Sequence, residues 1–182
     1  MYSIIFSLLS NLKILNKTII IILFLISTYT FADFDAEVIN IVDGDTIDVL
    51  DSRGEKLRIR LLGIDAPEKN QPFGKESMLY LKKIVNGKSV RIISKSDNNK
   101  PYTLGFYKRI IGKITLNTND VNLKMIKEGM AWHFKKYKKS QPIEDRQSYN
   151  EEENQAREKG IGLWSDLNPS APWKWRRLNK RR

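Results

Sequence analysis

Residues 56–68 read Lys-Leu-Arg-Ile-Arg-Leu-Leu-Gly-Ile-Asp-Ala-Pro-Glu (KLRIRLLGIDAPE), and the rest of the chain is best read outward from them. Leu57, Ile59 and Leu61 fall at every second position, the period of a strand with one face in a core. The spacing predicts a strand over Lys56–Ile64, ended by Pro67. Two residues do not suit a plain strand. Arg60 stands between Ile59 and Leu61; pointing into a barrel, it needs an acid or a bound anion as partner. Asp65 adjoins apolar strand residues although Asp is depleted in strands.

Upstream, Glu37–Val42 alternates polar and apolar, turns at Asp43-Gly44, and resumes over Thr46–Leu50. Asp51-Ser52-Arg53-Gly54 is a second turn. Downstream, Met78, Leu81 and Val85 share one face of a helix over Phe73–Val85, closed by Gly87. Val90–Ile93 and Arg109–Leu116 read as two more strands, with a polar loop between them at Asp97–Thr103. A short helix follows over Val121–Glu128, with Asn122 as N-cap candidate and Gly129 as stop. A charged helix runs over Arg146–Lys159. The tail, with Trp164, Trp173 and Trp175, is expected to pack by its rings rather than as regular structure. Five short strands with a helix between the third and fourth place the chain in the α+β class, as a five-stranded OB-fold barrel with about three helices.

Composition narrows the partners. The 182 residues carry 32 Lys and Arg against 21 Asp and Glu, a formal charge of +11, which favours anionic partners with nucleic acid first. There is no cysteine, which excludes a disulfide framework, a thiolate zinc site and a Cys nucleophile. Residues 1–32 contain Lys13 and Lys17, the apolar run Thr18–Ile26 and small residues ending at Ala32, the pattern of a secretory signal. A secreted or periplasmic domain over 33–182 is the expectation, with a retained membrane anchor as the other reading. The basic run Arg176–Arg182 reads as a solvated tail or as a non-specific phosphate contact.

The acids carry the chemistry. Asp43, Asp45 and Asp48 crowd the first turn, and Asp65 and Glu68 follow the third strand. Carboxylates from neighbouring strand ends suit a hard divalent cation, whose preferred ligands are oxygens. Asp43, before Gly44, reads as a turn residue. Arg60 and Arg109 facing such a cluster would suit a phosphodiester, because guanidinium groups stabilise charge on phosphoryl oxygens. His133, the only histidine, reads as structural beside Trp132 and Phe134.

The ordered motifs DGDT (43–46), RLLGIDAPE (60–68), FG (73–74), GMAW (129–132), GLW (162–164) and PWKWR (172–176) resemble the staphylococcal nuclease family. The resemblance implies an OB-fold enzyme that hydrolyses DNA and RNA phosphodiesters with Ca²⁺. It implies a monomer without an obligate protein partner, acting on single-stranded or locally melted nucleic acid. By position, Asp45 and Asp65 would hold the metal, Ala66 would offer its backbone carbonyl, and Thr46 would support that site. Glu68 would orient or deprotonate the attacking water, and Arg60 and Arg109 would clamp the phosphate. Tyr107 and Tyr137 would contact the nucleotide or pack at the barrel edge. The family's Asp-x-Tyr-Gly-Arg segment is altered here, with Gly105 for the Asp and Lys108 for the Gly. The other function classes are an OB module that binds nucleic acid without cutting it, and a basic, adhesin-like surface protein.

Overall fold

The computed structural model describes residues 31–95 and 109–179. Its centre is a closed barrel of five strands: β1 (Phe31–Asp43), β2 (Thr46–Asp51), β3 (Lys56–Leu61), β5 (Ser89–Lys95) and β6 (Ile110–Leu116). The long β1 serves two neighbours. Its first half pairs antiparallel with β5 from Phe31↔Lys95 to Glu37↔Ser89, and its second half with β2 from Ala36↔Asp51 to Asp43↔Thr46. Antiparallel pairs β2–β3 and β5–β6 extend the sheet, and the parallel pair β3–β6, with Ile59 opposite Ile110, closes it. Closure gives β1, β2, β3, β5 and β6 each two neighbouring strands among the described residues.

The predicted alternation holds in β3. Leu57, Ile59 and Leu61 are core residues, with Ile47, Val49, Ile92, Ile110 and Ile114 around them. That same alternation places Arg58 and Arg60 on the opposite face, so Arg60 does not point into the barrel. The expectation of one strand to Ile64 is also corrected. Gly63, at φ 78°, turns the chain after Leu61, and Ile64–Asp65 forms a separate strand, β4. β4 pairs with β8 (Trp132–His133), an element with too few residues to show a period.

Four helices complete the described residues: α1 (Gly74–Val85), α2 (Val121–Lys127), α3 (Ile143–Glu158) and α4 (Pro172–Asn179). None is long and apolar enough to cross a membrane. Only α4 lies where irregular chain was expected. Its Pro172 occupies the first helical position, where a missing N–H costs nothing. Asp120, in the short strand β7 (Asn119–Asp120), caps α2 by accepting from the Leu123 N–H at 2.9 Å, so the cap is not Asn122. Asn122 is instead buried and ties the barrel together. Its side chain accepts from Ile114 N–H at 3.1 Å and donates to the Leu62 carbonyl at 2.9 Å.

A second apolar cluster of Trp132, Ala156, Leu163, Trp164 and Ala171 packs outside the barrel. Arg157 lies over the Trp164 ring at 3.8 Å and over Trp132 at 4.7 Å. Such cation–π contacts stabilise by about 0.5–2 kcal/mol. This cluster, next to β4, is what holds the C-terminal segment against the barrel.

Candidate active site

The turn between β1 and β2 and the segment after β3 meet at one end of the barrel. Asp43 behaves as a turn residue: its Oδ1 accepts from Asp45 N–H at 3.0 Å. Gly44 is required by a close approach, because a Cβ there would overlap Ser77 Oγ and stand 2.7 Å from the Ala66 Cβ. The turn can therefore press against Ala66 and α1. Asp45 is buried as a result. Its carboxylate accepts from Ala66 N–H at 2.7 Å and from Thr46 Oγ1 at 3.1 Å.

Arg60 reaches the same point from β3. Its Nη2 lies 2.9 Å from Asp45 Oδ2 and 3.0 Å from Asp65 Oδ1. Its Nη1 donates to the carbonyls of Leu61 and Ile64, both at 2.9 Å. The turn at Gly63 wraps the guanidinium, which explains how an arginine outside the core becomes largely buried. Asp65 is buried as well, at 1% exposure, and needs countercharge to be stable there. Among the described residues it pairs with Arg60 and with Arg176 of α4, whose Nη2 lies 2.7 Å from Asp65 Oδ2. Arg176 Nη1 also donates to Glu68 Oε1 at 2.6 Å. The side chains thus form an alternating row: Asp45, Arg60, Asp65, Arg176, Glu68.

Burial pushes the Asp45 carboxyl up to about 7, with the charges of Asp43 and Asp65 adding and Arg60 opposing. Asp48, by contrast, has turned away from the row. Its carboxylate binds Arg58 Nε at 2.7 Å and Asn40 Nδ2 at 3.1 Å, and the Arg58 hydrogen bond holds it below the usual carboxylate range. Asp48 is a structural ion pair.

Arg109 is half-buried one residue before β6, beside the strand that carries Arg60. Tyr137 lies on the 3₁₀ turn Lys135–Ser140, whose lysines are exposed. Tyr107, Gly105 and Lys108 lie outside the described residues. His133 is structural: it is buried, its Nε2 is 3.2 Å from Gln141 Oε1, and burial lowers its pKa. Arg176 is the residue that sequence reading misplaced, as the first of a solvated or phosphate-holding tail. The PWKWR segment carried a usable signal, an arginine three residues after Trp173 and so on the same helical face.

Among the described residues no three acidic or histidine side chains form a ready cation cage. The donor set nonetheless fits a hard divalent ion. One carboxylate oxygen from Asp45 and one from Asp65 already converge on a single positive nitrogen of Arg60, at 2.9 and 3.0 Å. Oxygen ligands converging on one cationic centre are what Ca²⁺ or Mg²⁺ needs, with carbonyls and waters completing the shell.

A closed OB-type barrel with acids and guanidinium groups gathered at the ends of its strands defines the class: an OB-type fold carrying a charged candidate site. Comparison with known proteins gives the family. The model of the staphylococcal nuclease homologue family matches residues 58–166. A micrococcal nuclease of Shigella flexneri is 40% identical over 174 residues, covering 94% of this chain and 97% of that protein. An "uncharacterized endonuclease" of Haemophilus influenzae is 36% identical over 170 residues, covering 93% and 88%. A staphylococcal-like nuclease of Arabidopsis thaliana is 42% identical over 127 residues, covering 70% of this chain and 35% of that protein. The chain belongs to the staphylococcal nuclease family. Asp45 and Arg176 lie outside the span matched by the family model, and the geometry brings Asp45 onto Arg60 and Arg176 onto Asp65 and Glu68.

Proposed function

We propose that this chain is an exported, Ca²⁺-dependent endonuclease that hydrolyses phosphodiester bonds of DNA and RNA and leaves 3′-phosphorylated products. The observation that carries the reading is the alternating row from Asp45 to Glu68. It places buried acids next to guanidinium groups and leaves Glu68 half-exposed at the open end. Kinship with nucleases supplies the substrate class, and the leader supports export.

Asp45, Asp65 and the Ala66 carbonyl would hold the cation, with Thr46 bracing Asp45. When bound, Ca²⁺ supplies charge stabilisation at a phosphoryl oxygen. The chain's own groups do the rest. Glu68 orients a water for in-line attack on phosphorus and accepts its proton at a carboxylate oxygen. Arg60 and Arg109 donate to the non-bridging oxygens, where negative charge gathers in the transition state. By the family resemblance, Arg109 would also assist the leaving oxygen, with the bond to the 5′ oxygen broken and phosphate left on the 3′ side. Tyr107 and Tyr137 are the candidates for stacking on a base. The basic surface draws in the polyanion.

Incubation of the full chain with single-stranded DNA, in Ca²⁺ and then in excess EGTA, tests the reading. Cutting that stops on chelation is expected. Binding without Ca²⁺-dependent cutting would instead make the protein a nucleic-acid-binding module. Glu68→Gln should slow turnover by about 10²–10⁴-fold, and a variant as fast as the parent refutes the role given to Glu68.

A further inference from the structure

The row of charges contains one member for which the proposed reaction has no use. Arg176 arrives from α4, 111 residues along the chain from Asp65 and 108 from Glu68. It touches both, at 2.7 Å to Asp65 Oδ2, 3.1 Å to Asp65 Oδ1 and 2.6 Å to Glu68 Oε1. Among the described residues it is the side-chain partner of the Glu68 carboxylate. Resting on the nuclease reading, we propose that Arg176 is a positioning residue. It would orient Glu68 toward the attacking water and set the net charge of the acid cluster, which makes activity depend on the docking of α4.

The docking has a physical basis at each step. Trp132 stands opposite Asp65 in the β4–β8 pair. Trp173 packs edge-on against Trp132, with ring centroids 5.5 Å apart, and lies tilted against Phe134 at the same centroid distance. Buried Ala171 and a hydrogen bond from Gln71 Nε2 to the Ser170 carbonyl fix the start of the helix. Gln71 belongs to the same turn as Glu68: its backbone N–H donates to the Glu68 carbonyl, and its Oε1 accepts from the Glu68 N–H. One turn of helix after Trp173 brings Arg176 over Asp65 and Glu68. The aromatic tail is thus the mount of a guanidinium group.

Two consequences have opposite signs. Arg176 is one of two guanidinium groups set against three carboxylates, so its loss makes the cluster more negative and favours a divalent cation. Its loss also frees Glu68, so turnover falls. A residue that only stabilised the fold would weaken both properties together. Supporting groups of this kind typically change activity or metal affinity by about 10–100-fold.

The test uses the full chain and the variants Arg176→Ala, Arg176→Lys and Trp173→Ala. It measures kcat and KM on single-stranded DNA and, separately, calorimetric Ca²⁺ binding to the metal-free protein. For Arg176→Ala, kcat should fall by about 10–100-fold, KM should hardly move, and Ca²⁺ should bind several-fold more tightly. Arg176→Lys keeps the charge but loses the fork, so it should bind Ca²⁺ like the parent and recover only part of kcat. Trp173→Ala should reproduce the loss of kcat by loosening α4. Unchanged kcat in Arg176→Ala, or weaker Ca²⁺ binding together with lower kcat, overturns the proposal. A parent that binds Ca²⁺ without cutting refutes the nuclease reading, while the Ca²⁺ titrations still decide the effect of Arg176 on the cluster. A parent that neither binds nor cuts overturns both.

Discussion

Replacing Asp45 by Asn should stabilise the metal-free protein at neutral and alkaline pH. Burial raises the folded-state carboxyl from 3.8 to about 7. The folded protein therefore holds a proton on Asp45 over a range where the unfolded chain has released it. Stability from this group is fully present below pH 3.8 and is lost as pH rises through about 7. Each pKa unit corresponds to about 1.4 kcal/mol, so the rise amounts to something on the order of 4 kcal/mol. Asn has the shape of the protonated acid and can still accept from Ala66 N–H, but it does not titrate. The assay is thermal unfolding in EDTA, parent beside Asp45→Asn, from about pH 4 to about pH 8. The two should melt together at the acid end. At the alkaline end the variant should melt roughly 10 °C higher, given about 2–4 °C per kcal/mol for a domain of this size. Groups that do not interact with Asp45 cancel in the difference. Ca²⁺ should then raise the melting temperature of the parent far more than that of the variant, because the cation supplies the countercharge that burial withholds. Parallel curves, or a parent that gains on the variant as pH rises, would refute the account of Asp45.

Other outcomes follow from particular contacts. Gly44→Ala drives a Cβ into Ser77 and Ala66 and should cost about 1–3 kcal/mol in urea unfolding; it should also lower activity, since Ala66 holds Asp45. Asn122→Ala strips the Ile114 N–H and Leu62 carbonyl of their side-chain partner; a loss of about 1–3 kcal/mol with an unchanged urea m-value is expected. Arg58→Ala removes the main partner of Asp48, whose stabilisation is present above the ordinary carboxylate pKa and lost as pH falls. The variant should lose about 1–2 kcal/mol near neutral pH, converge on the parent in acid, and cleave DNA at the parent rate.

The legibility of the fold differed between elements for physical reasons. Strand β3 was readable because alternation every two residues is a local property of the backbone and of burial on one face. The same pattern already placed Arg60 opposite the core. The inward reading failed because it inferred burial from apolar neighbours rather than from the period. Arg60 is covered by the turn at Gly63, which also broke the expected strand in two. Asn122 was misread because an amide near a helix start looks like a cap. Asp120 took that place and left Asn122 to bridge strands. The missed helix α4 is short, rich in Trp and Arg, and held mainly by rings far away in sequence.

By itself the sequence determined the barrel strands, the turn at Asp43-Gly44, the acids and arginines that make up the candidate site, and the family. Each of these lies in local spacing or in an ordered set of motifs. Tertiary structure alone decided which charges meet. It joined Asp45 to Asp65 through one nitrogen of Arg60, sent Asp48 away to Arg58, and brought Arg176 onto Asp65 and Glu68. Charge pairing in a buried site depends on distances of about 3 Å between groups as much as 111 residues apart, and no local pattern encodes such a distance until the core and the aromatic cluster have packed.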